Sequence, residues 1–349
     1  MPMQNSCSWM QPEVDITELP SHRTFKTLNK YLDYIELLAI TSIDKSCTLS
    51  MIIDMMEEDD GFADPSYREA DFDQFDDSLS YESTEPLIIP NNPSRDEFKK
   101  HLVRIIKYRS NNFDEYWPFH YEVRTNKITV IDDHDFFNIY VCLLLSSVLS
   151  IVRIPIRKLF TDFHEIISYK VIKEIFPENA GWSVKSFGAN QNFGDNYQGQ
   201  LYEKFKSLAK DLNTSLNHQG TFPSSGGDGG IDAVVFRRFL NDDRGLLPLC
   251  TVQSTCNEDN LESKARETNH SRINDRIQLR TPLVNYLVVP RDMITTANNI
   301  KFQIEDNALS IIIDRFRILP LVNLSEIAIN TEIVDIVNEL KDLNNNYSF

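Results

Sequence analysis

The stretch SSGGDGGIDAVVFRRF, Ser224–Phe239, gathers groups that could do chemistry at the mouth of a strand. Four of the chain's eleven glycines fall at 226, 227, 229 and 230, around Asp228 and just ahead of Asp232. Glycine accepts the positive φ of a tight turn, and the run IDAVVF that follows is apolar and β-prone. Asp232 is thereby expected where a buried strand begins. Asp228 reads as an Asx bond holding the turn, or as a group that binds a metal's water.

Three more side chains can converge on Asp232. Gln253 lies in LPLCTVQST, a run of strand length, and Lys264 lies on the short helix NEDNLESKARE that follows. Glu203 lies on YQGQLYEKFKSLAKDLN, at the edge of a stripe made by Leu201, Phe205, Leu208 and Leu212. Carboxylates with a neutral carbonyl oxygen form a hard-oxygen set, suited to Mg²⁺ or Mn²⁺ rather than zinc. An ammonium group nearby can orient a water or stabilise charge on a phosphate. Together these are the parts of a phosphodiester hydrolase. Each has a plainer reading alone: Asp232 as a turn cap, Gln253 as a partner for backbone groups, Glu203 as any acid of an amphipathic helix. Lys264 alone would be an exposed lysine paired with Glu262 or Glu267.

The elements that must position these groups follow from periodicity. After Pro177 the order reads helix, two strands, helix, two strands (VNYLVVP and LSIIIDRF), then the helix LSEIAINTEIVDIVNELKDL. That is an α/β fold with a mixed central sheet flanked by helices, its central strands buried on both faces. GWSVKSFGANQNFGDNYQGQ, rich in Gly and Asn, reads as a loop or boundary. Residues 1–178 read as a mostly helical regulatory or docking region, and 179–349 as the catalytic domain. In the former, 24–42 and 94–108 have amphipathic helical spacing, and YWPFHYEVRTNKITVIDD reads as two strands around a turn. Phe136–Val152 is short for a membrane span and suits a buried helix. DFHEIISYKVIKEIF continues as a helix whose HE lacks a second histidine at protease spacing, leaving His164 a surface or packing residue. DRFRILP, Asp314–Pro320, reads as a surface salt bridge.

GGDGGIDAV followed by a strand with VQ resembles the core of the PD-(D/E)XK nuclease superfamily, in particular its Mrr-like restriction endonuclease branch. The resemblance covers roughly residues 180–320 and implies a restriction-endonuclease-like core. It implies metal binding by Asp232, Gln253 and Glu203, with Mg²⁺ or Mn²⁺ as cofactor, and DNA as substrate. The Q-x-K lysine falls at Thr255, which carries no charge. Lys264 on the following helix is its substitute; otherwise the site is silent. The function implied is a metal-dependent DNA endonuclease, the effector of a bacterial anti-phage or restriction system, under a controlling ATPase or sensor subunit. The alternative is an inactive nuclease fold that binds DNA or scaffolds a defence complex.

Composition neither adds to this nor forbids it. The chain has 349 residues with 41% hydrophobic and 25% charged, an ordinary soluble mixture. Its charge of −17 argues against a general polyanion-binding surface. However, Asp54–Glu85 carries 13 acids and one base, and without it 34 bases face 39 acids, leaving room for a local basic surface. That acidic stretch reads as a surface loop, or as a docking segment for a basic partner. Five scattered cysteines without metal spacing, and no signal-like N-terminus, suggest a reduced cytoplasmic protein outside the membrane.

Overall fold

The computed structural model describes residues 28–58, 95–188, 195–217, 222, 229–239, 247–257, 261–293 and 310–343. Asp228, and the acidic stretch beyond Glu58, lie outside them.

The N-terminal half packs α1 (Leu28–Thr41), α2 (Leu49–Glu58), α3 (Arg95–Asn112), α4 (Phe137–Ser147) and α5 (Ile154–Ile175) around a small antiparallel sheet. Its strands β1 (Ser46–Thr48), β2 (Phe119–Glu122) and β3 (Lys127–Val130) lie in the order β1-β3-β2, and β2–β3 is the expected hairpin. α1 departs from expectation. From Tyr31 to Ser42 every residue is buried, so it is a central helix enclosed on all sides rather than a one-faced one. Among the described residues no helix is long and apolar enough to cross a membrane; the apolar run at Phe136 forms α4, buried among its neighbours.

A five-stranded mixed sheet builds the second half, in the order β4-β5-β6-β7-β8. β4 (Trp182–Ser186), β5 (Ala233–Arg237) and β6 (Leu249–Ser254) pair antiparallel. β7 (Leu283–Val288) and β8 (Ile311–Ile313) run parallel to β6. β4 replaces the loop expected at GWSVKS: its polar residues alternate with Val184 and Ser186, which point inward. Helices α6 (Leu201–Asp211), α7 (Leu261–Glu267) and α8 (His270–Asn274) cover one face. α9 (Arg315–Ile318) and α10 (Thr331–Asp342) close the chain, α10 starting where the Asn330 side chain accepts from Glu332 N–H rather than at Leu324.

The alternation of β5 shows how the layers meet. Ala233 and Val235 pack into the core shared with α1–α5, while Val234 and Phe236 join Phe205, Leu208, Ile273 and Ile277 under α6 and α8. The first of these cores also takes in Val288, Ile313 and α10. The boundary expected at 178/179 therefore falls inside one continuous core, not between two.

Charge crosses that boundary as well. Arg109 of α3 meets Asp33 at 2.7 Å, Glu36 at 2.9 Å and Asp292, beyond β7, at 3.2 Å. Arg315 of α9 donates to both Asp33 oxygens at 3.0 and 2.9 Å and to the Pro290 carbonyl at 2.8 Å. Burial alone would raise the Asp33 pKa, but Arg315 and Arg109 outweigh it and hold it at about 2. The surface salt bridge expected in DRFRILP is thus corrected: Arg315 is fully buried, and buried Asp314 caps α9 by accepting from Arg317 N–H.

Candidate active site

Asp232 stands at the head of β5, where its N–H donates to the Val252 carbonyl at 2.9 Å and continues the ladder with β6. The preceding turn needs its glycines. Gly229 and Gly230 have φ of +67° and +84°, and a Cβ on Gly230 would lie 2.9 Å from Glu267 Oε2. Asp232 Oδ2 accepts from the Ser254 hydroxyl at 3.0 Å and from the Ser254 N–H at 2.5 Å. Those donors favour the charged carboxylate and fix its direction.

Gln253, the next residue back along β6, is almost fully buried. Its Nε2 donates to Glu267 Oε2 at 2.8 Å, and the same oxygen takes Lys264 Nζ at 2.9 Å. The amide carbonyl Oε1 is buried with no hydrogen-bond partner. A buried acceptor left without a donor costs about 1–3 kcal/mol, so it marks a place where something else is expected to bind. Lys264 therefore reaches Gln253 through Glu267, a residue the sequence offered only as a partner for an ordinary surface lysine. Thr255, at the motif's lysine position, is buried, and its hydroxyl accepts from Asn257 N–H.

The helix acid that approaches Asp232 is Glu165 of α5. A Cβ on Gly188 would lie 3.1 Å from Glu165 Oε1 and 3.5 Å from Asp232 Oδ1, so the two carboxylates flank one point that only glycine leaves open. Glu165, Ser168, Tyr169, Asp232, Ala233, Val252 and Ser254 line a cavity of about 10 Å³ there. Gly188 is held by its N–H, which donates to the Asp232 carbonyl at 3.0 Å. Glu203 does not take this part: it is exposed at the start of α6, over Gly199. Lys204 beside it turns inward and donates to the Phe187 and Gly188 carbonyls at 2.7 and 3.2 Å. The helical stripe points this way, since Lys204 lies between Leu201 and Leu208 on the buried side.

Among the described residues no cluster of three or more His, Cys, Asp and Glu could hold a metal ion. The donors that gather at the Gly188 gap are the Asp232 and Glu165 carboxylates, which fit a hard divalent cation and not zinc. Gln253, between Val252 and Ser254 in β6, projects from the other face of the sheet, against Glu267 and Gly230. His164 beside Glu165 is no ligand of this set. It is buried with Nε2 at 3.2 Å from the Val288 carbonyl, and burial pushes its pKa down to about 4. Cys256 is half-buried, and burial pushes its thiol up to about 12, in line with a packing role.

Comparison with known protein families, with characterised proteins and with solved structures finds no match to this chain.

Proposed function

We propose that the chain is a metal-dependent DNA endonuclease with a restriction-endonuclease-like core, its site at the head of β5. The observation that carries this reading is the pair of carboxylates, Asp232 and Glu165, that flank the Gly188 gap at the head of β5. The chain order β4, α6, β5, β6, α7, α8, β7 builds a sheet with β4-β5-β6 antiparallel and β7 parallel, a mixed sheet of the kind such a core uses, with α6 set between β4 and β5.

Asp232 and Glu165 would hold Mg²⁺ or Mn²⁺, which supplies Lewis acidity toward a phosphate and lowers the pKa of water; the Gln253 oxygen would join them only by reaching round the end of β6. Ser254 keeps the Asp232 carboxylate aimed. Glu267 holds the Gln253 amide by its nitrogen, so the oxygen is the end presented. Lys264 holds Glu267 in turn, acting on the site through a carboxylate. Lys204 fixes the Phe187–Gly188 carbonyls, keeping the gap between Glu165 and Asp232 open and supplying a buried positive charge beside it. DNA is the partner, and a controlling ATPase or sensor subunit suits an enzyme that must be restrained in its host.

Supercoiled plasmid with Mg²⁺ or Mn²⁺ should be nicked or linearised by the protein, and Asp232→Ala should abolish this. Cleavage that persists in Asp232→Ala overturns the assignment. A second reading has its own support: Thr255, where a lysine is expected, is committed to a backbone contact, and Lys264 is paired with an acid. An inactive nuclease fold that binds DNA or scaffolds a complex is then the function. DNA binding without cleavage under any metal, or with any activating partner, would favour it.

A further inference from the structure

The two glycines of the turn have different neighbours. Gly230 lies against Glu267 and Gln253, whereas Gly229 lies against Arg276, just past the end of α8. A Cβ on Gly229 would fall 2.7 Å from Arg276 Nη1, so the guanidinium rests directly on the turn backbone. Its other support is the Phe205 ring, whose centroid is 5.2 Å from Arg276 Cζ. The backbone there is held firmly: Arg276 N–H donates to the Ile273 carbonyl at 3.0 Å, and its own carbonyl accepts from Asn217 N–H at 2.9 Å.

Asp275 beside this cation acts on it only from beyond ion-pair distance. Arg276 Nη1 is buried without a hydrogen-bond partner, and none of the ion pairs among the described residues includes Arg276. Arg272 adds a second positive charge near it; burial first, then Arg272, hold the Arg276 pKa below the usual arginine value. The surrounding segment differs from the rest of the chain. Residues 261–280 carry Lys264, Arg266, Arg272, Arg276 and Arg280 against Glu262, Glu267 and Asp275, in a protein of net charge −17. Arg266, His270, Arg272 and Arg280 are exposed. A buried guanidinium donor with no acceptor costs free energy unless an anion arrives to take it. A planar fork of N–H donors suits the oxygens of a phosphate.

We propose that Arg276, on the Gly229–Gly230 turn, is a binding site for a backbone phosphate of DNA, with Arg272 adding to its field. The proposal rests on the nuclease reading for the identity of the polyanion. It adds where the strand is gripped: one residue along the turn from the Gln253–Glu267 pair, so that a held phosphate lies next to the candidate active site. Such a contact positions the strand and carries no sequence information.

The test needs no catalysis. Binding of a short fluorescently labelled duplex is measured by anisotropy in EDTA, over a range of salt, for the wild-type protein, Arg276→Met and Arg276→Lys. Arg276→Met keeps apolar packing on Phe205 and removes the charge. It should weaken binding about tenfold and make the slope of log K against log salt shallower by about 0.9. A packing role alone would leave the slope unchanged. Unaltered affinity and slope overturn the proposal, as does a wild-type protein that does not bind the duplex. If Arg276→Met melts early, Arg276→Lys decides: intermediate affinity with the wild-type slope supports the site, and wild-type affinity overturns it. Plasmid cleavage separates the two readings. Intact binding without cleavage sinks hydrolysis and leaves the phosphate site standing, whereas cleavage with binding indifferent to Arg276 sinks the phosphate site alone.

Discussion

Where α1 and α3 meet the segment after β7, Arg109 and Arg315 are sealed from water with Asp33, Glu36 and Asp292, and each of these charges ends on an opposite one. At the head of β5 the polar groups are as closely packed, yet the Gln253 carbonyl and the Arg276 Nη1 are left over. In the first cluster every charge lies against an opposite one, even Arg109 Nη2, which makes no hydrogen bond but sits 2.7 Å from Asp33 Oδ1, and the cluster joins the two halves of the chain. The second leaves one acceptor and one donor with no counter-group within reach, and that surplus separates a candidate site from a structural clasp. Burial alone would not tell them apart; a partner within reach does.

The contrast is broken most directly at Arg109. Arg109→Met should cost about 3–5 kcal/mol of stability in chemical denaturation, because three buried carboxylates lose their shared counter-ion. Asp232→Asn should change the unfolding midpoint little by comparison, and an equal loss in both would erase the distinction.

His164 offers a second measure: it shares α5 with Glu165 and is buried, with Nε2 against the Val288 carbonyl and Nδ1 without a hydrogen-bond partner. Its folded pKa of about 4 lies below the ordinary 6.5, so below neutrality the unfolded chain takes up the proton first. Stability should therefore fall as pH drops from 6.5 to 4, by about 3 kcal/mol in all. Comparing wild type with His164→Asn across that range isolates this contribution; parallel curves would show the imidazole is not held neutral.

Glu267→Gln sharpens the open cluster. Without a carboxylate to take its nitrogen, the Gln253 amide loses its enforced direction, and Mn²⁺ affinity by calorimetry should fall about 10–100-fold. Gln253→Glu would set two carboxylates against each other, so Glu267→Gln should restore affinity in that background; failure to do so would separate Glu267 from the site. The smallest effect is expected at Gly230→Ala, where the positive φ costs about 1–2 kcal/mol and the new methyl crowds Glu267. Melting and cleavage should both decline there, and an unchanged protein would mean the turn is not constrained as described.

The sequence made the head of β5 readable because one short segment holds both its turn and its strand. Glycine density, the apolar run after Asp232 and the placement of Gln253 in the neighbouring strand all follow from local pattern. Glu165 was hidden because it comes from a helix far back in the chain, where an acid among lysines looks like solvated surface. Lys204 was passed over for Glu203 because lysine on an apolar stripe breaks the usual rule; the Phe187 and Gly188 carbonyls that accept its charge lie on a different element. Asp33 and Glu36 did carry a signal. They interrupt a run of otherwise apolar residues in YLDYIELLAI, three apart, on one side of a helix. Their arginines lie on α3 and α9, and no local pattern could have joined them.

That clasp governs how the protein can be divided. Residues 179–349 taken alone would keep Arg315 while leaving behind both Asp33 oxygens it donates to, and would expose the sheet face that α5 covers. The half that carries Asp232 is thus no portable module. A partner that controlled the site would have to act on an undivided molecule, by shifting its helices or covering its turn, rather than by cutting one half loose.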